Sequence, residues 1–152
     1  MAETVRRVKN GWRKAAPTYV PPMPVTALYA ALLAPLFVLL SVRVIGGRRE
    51  ARTALGDGGD PALLRRMRVH ANFAEYAPFA LLLLALAESL GTRTWLLHVI
   101  GAILLIGRLL HAAGVSRHPE IPRLRVAGMA LTFAAIGVGA LACLLGALPR
   151  LV

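Results

Sequence analysis

Arg65, Arg68, Asn72 and Glu75 are spaced three and four residues apart. At 3.6 residues per turn they share one face of one helix. Such a stripe offers two guanidiniums, a carboxamide and a carboxylate to a polar ligand. It runs without a turn signal into the apolar stretch Ala80 to Ala87. Asp60 followed by Pro61 is a good helix start, Asp as N-cap and Pro at the first helical position, and Gly91 is a stop. A helix from Pro61 to Leu90 would be about 45 Å long, against a hydrocarbon core of about 30 Å. Counting roughly 20 residues back from Leu90 puts the membrane boundary near Ala71, with Glu75 roughly 6 Å inside it. An ionisable group at that depth normally faces a bundle or a wet cavity and marks a functional site. A helix end whose arginines snorkel, with Glu75 merely pairing one of them, would show the same spacing.

Composition sets the class of protein in which that stripe sits. The chain is 57% hydrophobic over 152 residues, with a mean hydropathy of +0.64. This is the composition of an all-α integral membrane protein. The formal charge of +11 does not indicate nucleic acid, because the basic residues cluster at the ends of apolar runs, where membrane topology accounts for them. The lone Cys143 excludes an intramolecular disulfide and reads as a small packing residue. None of the four histidines has ligand spacing with a carboxylate or thiol, so no metal site is expected.

Four spans are expected, at about 25–45, 61–90, 94–113 and 123–148. Residues 1–22 form a basic, proline-containing arm that reads as a disordered or surface-lying segment outside the membrane domain 23–152. Met23, directly before the first apolar run, is an alternative start. Pro35 lies within the first span, and Gly46-Gly47 should release the chain into a polar connector with neither the Walker lysine nor EF-hand ligand spacing. Trp95 marks the boundary of the third span, and Arg108 and His111 share a face near its far end. Gly128, Gly137, Gly139 and Gly146 should let neighbours approach the fourth span closely. Short connections make this an up-down-up-down bundle.

Charge orients the bundle and gathers its polar groups. Of the 18 Lys and Arg residues, eleven (43, 48, 49, 52, 65, 66, 68, 108, 117, 123 and 125) lie at the end that carries the first and third connections. By the positive-inside rule that end is cytoplasmic. The five basic residues of the arm oppose this orientation, and a start at Met23 removes the conflict. Arg48, Arg49, Arg68, Asn72, Glu75, Arg108, His111, Arg123 and Arg125 all fall on the same side. Arginines converging at one end of an apolar bundle suit a ligand with carboxylates and a lipid-like partner.

The string Arg68-Val-His-Ala-Asn72-Phe-Ala-Glu75-Tyr76-Ala-Pro78 resembles the R-x-x-x-N-x-x-E-Y-x-P pattern of the membrane-associated proteins in eicosanoid and glutathione metabolism, the MAPEG superfamily. Val44-Ile45-Gly-Gly-Arg48-Arg49-Glu-Ala-Arg52 is similar to the first-span exit of its leukotriene-forming members. Gly107-Arg108-Leu-Leu-His111 is similar to the third span of its prostaglandin-forming members. Arg123-Leu-Arg125-Val-Ala-Gly128 completes a resemblance that runs from Met23 to the C-terminus. The Ala, Leu, Arg and Gly richness has a bacterial character, which would place such a protein in the inner membrane with its site on the cytoplasmic side.

The resemblance implies a homotrimer of four-helix protomers with glutathione bound between neighbours. It implies peptide contacts from Arg68, Asn72, Glu75, Tyr76 and His111, carboxylate contacts from Arg48 and Arg108, and thiol activation by Arg125, with Arg49 orienting a second substrate. A thiol of pKa near 8.5 is mostly protonated at neutral pH, and a fixed guanidinium favours its thiolate. Arg117 and Arg123 are alternatives to Arg125, which the following Val-Ala-Gly favours. His111 and Val115 depart from the pattern, standing where the leukotriene-forming members carry two tyrosines, so at least one glutathione contact is missing, although His111 agrees with the prostaglandin-forming members. The function implied is a glutathione-dependent transferase or peroxidase acting on hydrophobic electrophiles or lipid hydroperoxides. The alternative is a non-catalytic lipid-binding or partner-presenting protein of the same fold. A small multidrug transporter would call for a buried acid in the first span, which has none.

Overall fold

The computed structural model describes residues 22–117 and 119–151. Apart from Pro22, the basic arm lies outside the described residues, as do His118 and Val152. Four helices carry the chain: α1 (Pro24–Glu50), α2 (Pro61–Ser89), α3 (Thr94–Ser116) and α4 (Pro122–Ala147), the last followed by a 3-10 turn at Leu148–Arg150. All four are long and apolar enough to cross a membrane. There is no strand among the described residues.

Proline stands in the first turn of α1, α2 and α4, where a missing N–H costs nothing. Asp60 caps α2, its Oδ1 accepting from the Ala62 amide at 2.8 Å. The start of α1 is capped from outside: the Glu88 carboxylate accepts from the Val25 amide at 2.9 Å and the Thr26 amide at 2.8 Å. Both oxygens of one α2 side chain thus satisfy orphan amides of α1 and set a negative charge at its positive end.

α2 and α3 are the central pair, each packed on the other and on both outer helices, while α1 and α4 do not touch. Leu33, Leu40, Phe73, Leu84, Ile100 and Leu104 fill the interior. Leu32, Val38, Phe79, Val126 and Leu145 point outward, as expected of helices solvated by hydrocarbon. Lipid supplies no hydrophobic force between helices, so close approach at small residues must supply contact instead. The α3–α4 seam shows this clearly. A Cβ on Gly128 would lie 2.5 Å from the His111 backbone nitrogen and 2.7 Å from the Gly107 carbonyl oxygen.

Three expectations need correction. α1 passes through Gly46-Gly47 and ends at Glu50. Gly47 is buried, and a Cβ there would meet Leu63 and the Arg66 side chain at 3.0 Å, so this glycine serves packing rather than release. α3 likewise continues past the expected end at 113 to Ser116, and Gly114 within it lets the start of α4 close against it. Gly137, by contrast, meets nothing within 4 Å and takes no part in helix packing within the chain.

Candidate functional site

Helical periodicity aligns Arg68, Asn72 and Glu75 along α2, and His111 and Val115 along α3. The turn that ends in Ile121 places Arg125 in the first turns of α4. With Ala71, these side chains line a single cavity of about 320 Å³ at the arginine-rich end of the bundle. That volume lies at the lower end of the range for small-molecule sites, about 300–1,000 Å³. An open groove of about 630 Å³ adjoins it, sharing Arg68, Val115 and Arg125 and adding Leu64, Arg65 and Glu120.

Behind the cavity stands Arg108, buried to 1% exposure. Its Nη1 donates to Asn72 Oδ1 at 2.9 Å and to the Asn72 carbonyl at 3.2 Å, and Nη2 approaches the Met129 sulfur at 3.4 Å. Its Nε has no partner, and no carboxylate lies within ion-pair distance among the described residues. A guanidinium buried with only neutral acceptors leaves this end of the bundle electropositive.

Glu75 is exposed and pairs with no arginine among the described residues, unlike a snorkelling helix end tied by an ion pair. Arg125 does have a partner: its Nη1 lies 2.8 Å from Glu120 Oε1, an ion pair in which both side chains are partly exposed. Two guanidiniums and a carboxylate therefore face one cavity together with a carboxamide and an imidazole. Walls carrying both signs of charge fit a zwitterion bearing carboxylates and an ammonium group.

Within the single chain, the other expected site residues sit elsewhere. Arg108 reaches the cavity only through Asn72. Tyr76 packs its ring edge-on to Phe133, centroids 5.5 Å apart, and does not line the cavity. Arg48 folds over the connector, its Nη1 donating to the Ala54 carbonyl at 2.7 Å, and Arg49 is exposed at the end of α1. Of the three candidate thiol-activating arginines, all exposed, Arg125 alone lines the cavity. Glu120 was not among the expected residues. It lies five positions before Arg125, outside any helical spacing, and meets it only because the turn folds back.

The sequence model of the MAPEG family matches residues 26–145, a segment that contains every residue of this cavity. The chain belongs to the MAPEG family. Among its relatives is the "Inner membrane protein YecN" of Escherichia coli strain K12, 41% identical over 112 residues, covering 74% of this chain and 84% of that protein. The protein of the same name from Escherichia coli O6:H1 matches to the same extent. The family match and the relatives agree with the membrane character of the four helices.

Proposed function

We propose that this MAPEG protein is a membrane-bound glutathione-dependent transferase or peroxidase acting on hydrophobic electrophiles or lipid hydroperoxides. The observation that carries this reading is the convergence of Arg68, Asn72, Glu75, His111 and Arg125 on one cavity at the end of an apolar bundle. The donor set fits glutathione. Glu75 complements its ammonium, Arg68 its carboxylates, and the Asn72 amide its peptide groups. Glutathione supplies the nucleophilic thiol, and Arg125 favours the thiolate by charge and hydrogen bonding, at about 1.4 kcal/mol for each pKa unit of depression. The pair with Glu120 engages one terminal nitrogen of Arg125 and opposes this effect, so release from Glu120 belongs to activation.

We infer a homotrimer from the family resemblance, which assigns Arg48 and Arg49 to the same site as Arg125. α1 and α4 do not touch within the chain, so the arginines at the end of α1 would join an Arg125 cavity across a protomer boundary. The name of the Escherichia coli relatives supports a multi-pass inner-membrane location, and the positive-inside rule puts the cavity on the cytoplasmic side.

A second reading, a non-catalytic protein that binds or presents lipid, is favoured by the Arg125–Glu120 pair and by Val115 at the cavity wall. Turnover separates the two. Protein in liposomes with glutathione should conjugate chlorodinitrobenzene or reduce cumene hydroperoxide, and Arg125→Ala should lower that rate by about 10²-fold, as for loss of one preorganised charge-stabilising donor. Absence of turnover with both substrate classes in folded parent protein would favour the lipid-binding reading.

A further inference from the structure

A second cavity, of about 400 Å³, lies at the same end of the bundle between α1, α2 and α3 and shares no residue with the first. Arg43 of α1, Arg65 and Arg66 of α2 and Ser116 of α3 line it, with Asp60 and Ala62 at the N-terminus of α2. We propose that this cavity binds the phosphate of an anionic phospholipid headgroup. The inference does not rest on the glutathione reading: none of these residues lines that cavity, and Arg65 alone among the arginines also borders the groove beside it.

Three guanidiniums line the cavity and outnumber the carboxylates beside them, Asp60 and Glu50. Arg66 is set against Glu50 at 2.9 Å. The Asp60 carboxylate caps α2, its charge set against the positive end of that helix. Arg43 and Arg65 have only neutral acceptors among the described residues: Arg43 Nη1 donates to Ser116 Oγ at 2.8 Å, and Arg65 Nη1 to the Arg117 carbonyl at 3.0 Å. Guanidiniums drawn into one cleft repel each other unless an anion joins them, and their planar forks match phosphate oxygens.

Depth selects lipid as the source of the phosphate. Arg43 closes the apolar run of α1, and its neighbours Val42 and Ile45 are half exposed on the outer surface. The arginine therefore sits where hydrocarbon meets headgroups. Basic pockets between transmembrane helices on the cytoplasmic side are the usual seats of anionic headgroups. Ser116 holds Arg43 across the α1–α3 gap, so the fork is in place before the ligand arrives.

Native mass spectrometry of the delipidated full chain in detergent tests this, with phosphatidylglycerol, phosphatidylcholine and inorganic phosphate as probes. The parent should retain phosphatidylglycerol about tenfold better than phosphatidylcholine, and millimolar inorganic phosphate should compete with it. Arg43→Gln and Arg65→Gln should each weaken retention about fivefold, the contribution of one basic residue near anionic lipid. Arg52→Gln, the same charge change at an exposed connector position, should leave it unaltered. If Arg43→Gln does not fold, Arg65→Gln, whose bond is to an exposed loop residue, carries the comparison. Equal retention of the two lipids, or equal effects of Arg52→Gln and Arg65→Gln, would overturn the site. Retention of inorganic phosphate without lipid preference would overturn the lipid assignment in favour of a free anion.

Discussion

Arg108 grips Asn72 by two oxygens, the side-chain Oδ1 at 2.9 Å and the backbone carbonyl at 3.2 Å. With Oδ1 taken, the carboxamide has its Nδ2 donors left for the cavity. Arg108 is thereby a positioning residue for Asn72. Arg108→Ala would leave the Asn72 Oδ1 unpaired and a void behind α2, costing about 2–5 kcal/mol in thermal unfolding in detergent. Asn72→Asp should behave differently: the fold persists because a carboxylate suits Arg108, while glutathione binding weakens because the Nδ2 donors are gone. Equal loss of stability in the two variants would contradict this division of roles.

Glu88 joins α2 to the first turn of α1 through the Val25 and Thr26 amides. Glu88→Ala removes a cap and should destabilise by about 0.5–2 kcal/mol. Glu88→Gln keeps an acceptor but loses the charge at the helix end, and should cost less. Thermal unfolding of the three proteins in one detergent checks the order. The effect on glutathione binding should be small, because this contact lies at the end of the bundle opposite the cavity.

Glu120 pairs with Arg125 at 2.8 Å and, on the proposed function, would compete with the thiolate for it. The pair is partly exposed, so its strength is about 0–1 kcal/mol. Glu120→Gln should therefore tighten apparent thiolate binding by up to about fivefold, with little change in stability. An isothermal titration of glutathione against parent and variant measures this, and weaker binding in the variant would show that Glu120 helps to hold the ligand.

Much of the candidate site was legible because helical spacing is rigid. Arg68, Asn72 and Glu75 had to share a face, and the alternating direction of four spans brought His111 and Arg125 to the same end. What spacing cannot convey is how deeply two helices interlock. Arg108 shares the face of His111, yet the close approach of α4 at Gly128 leaves Arg108 buried and in contact with Asn72. Glycine was ambiguous for the same reason: Gly47 looked like a stop and is a packing surface, whereas Gly137 looked like a packing surface and faces open space. Glu120 and Glu88 act through a folded-back turn and a contact between helix ends, which no local pattern encodes.

The proposed chemistry requires Arg125 to hold a thiolate. The direct measurement is the ultraviolet absorption of the glutathione thiolate on adding glutathione to detergent-purified parent, Arg125→Ala and Glu75→Ala. Saturable thiolate formation in the parent, abolished in Arg125→Ala and shifted to higher glutathione concentration in Glu75→Ala, is the predicted result. No thiolate signal in folded parent at millimolar glutathione, or an undiminished signal in Arg125→Ala, would contradict it.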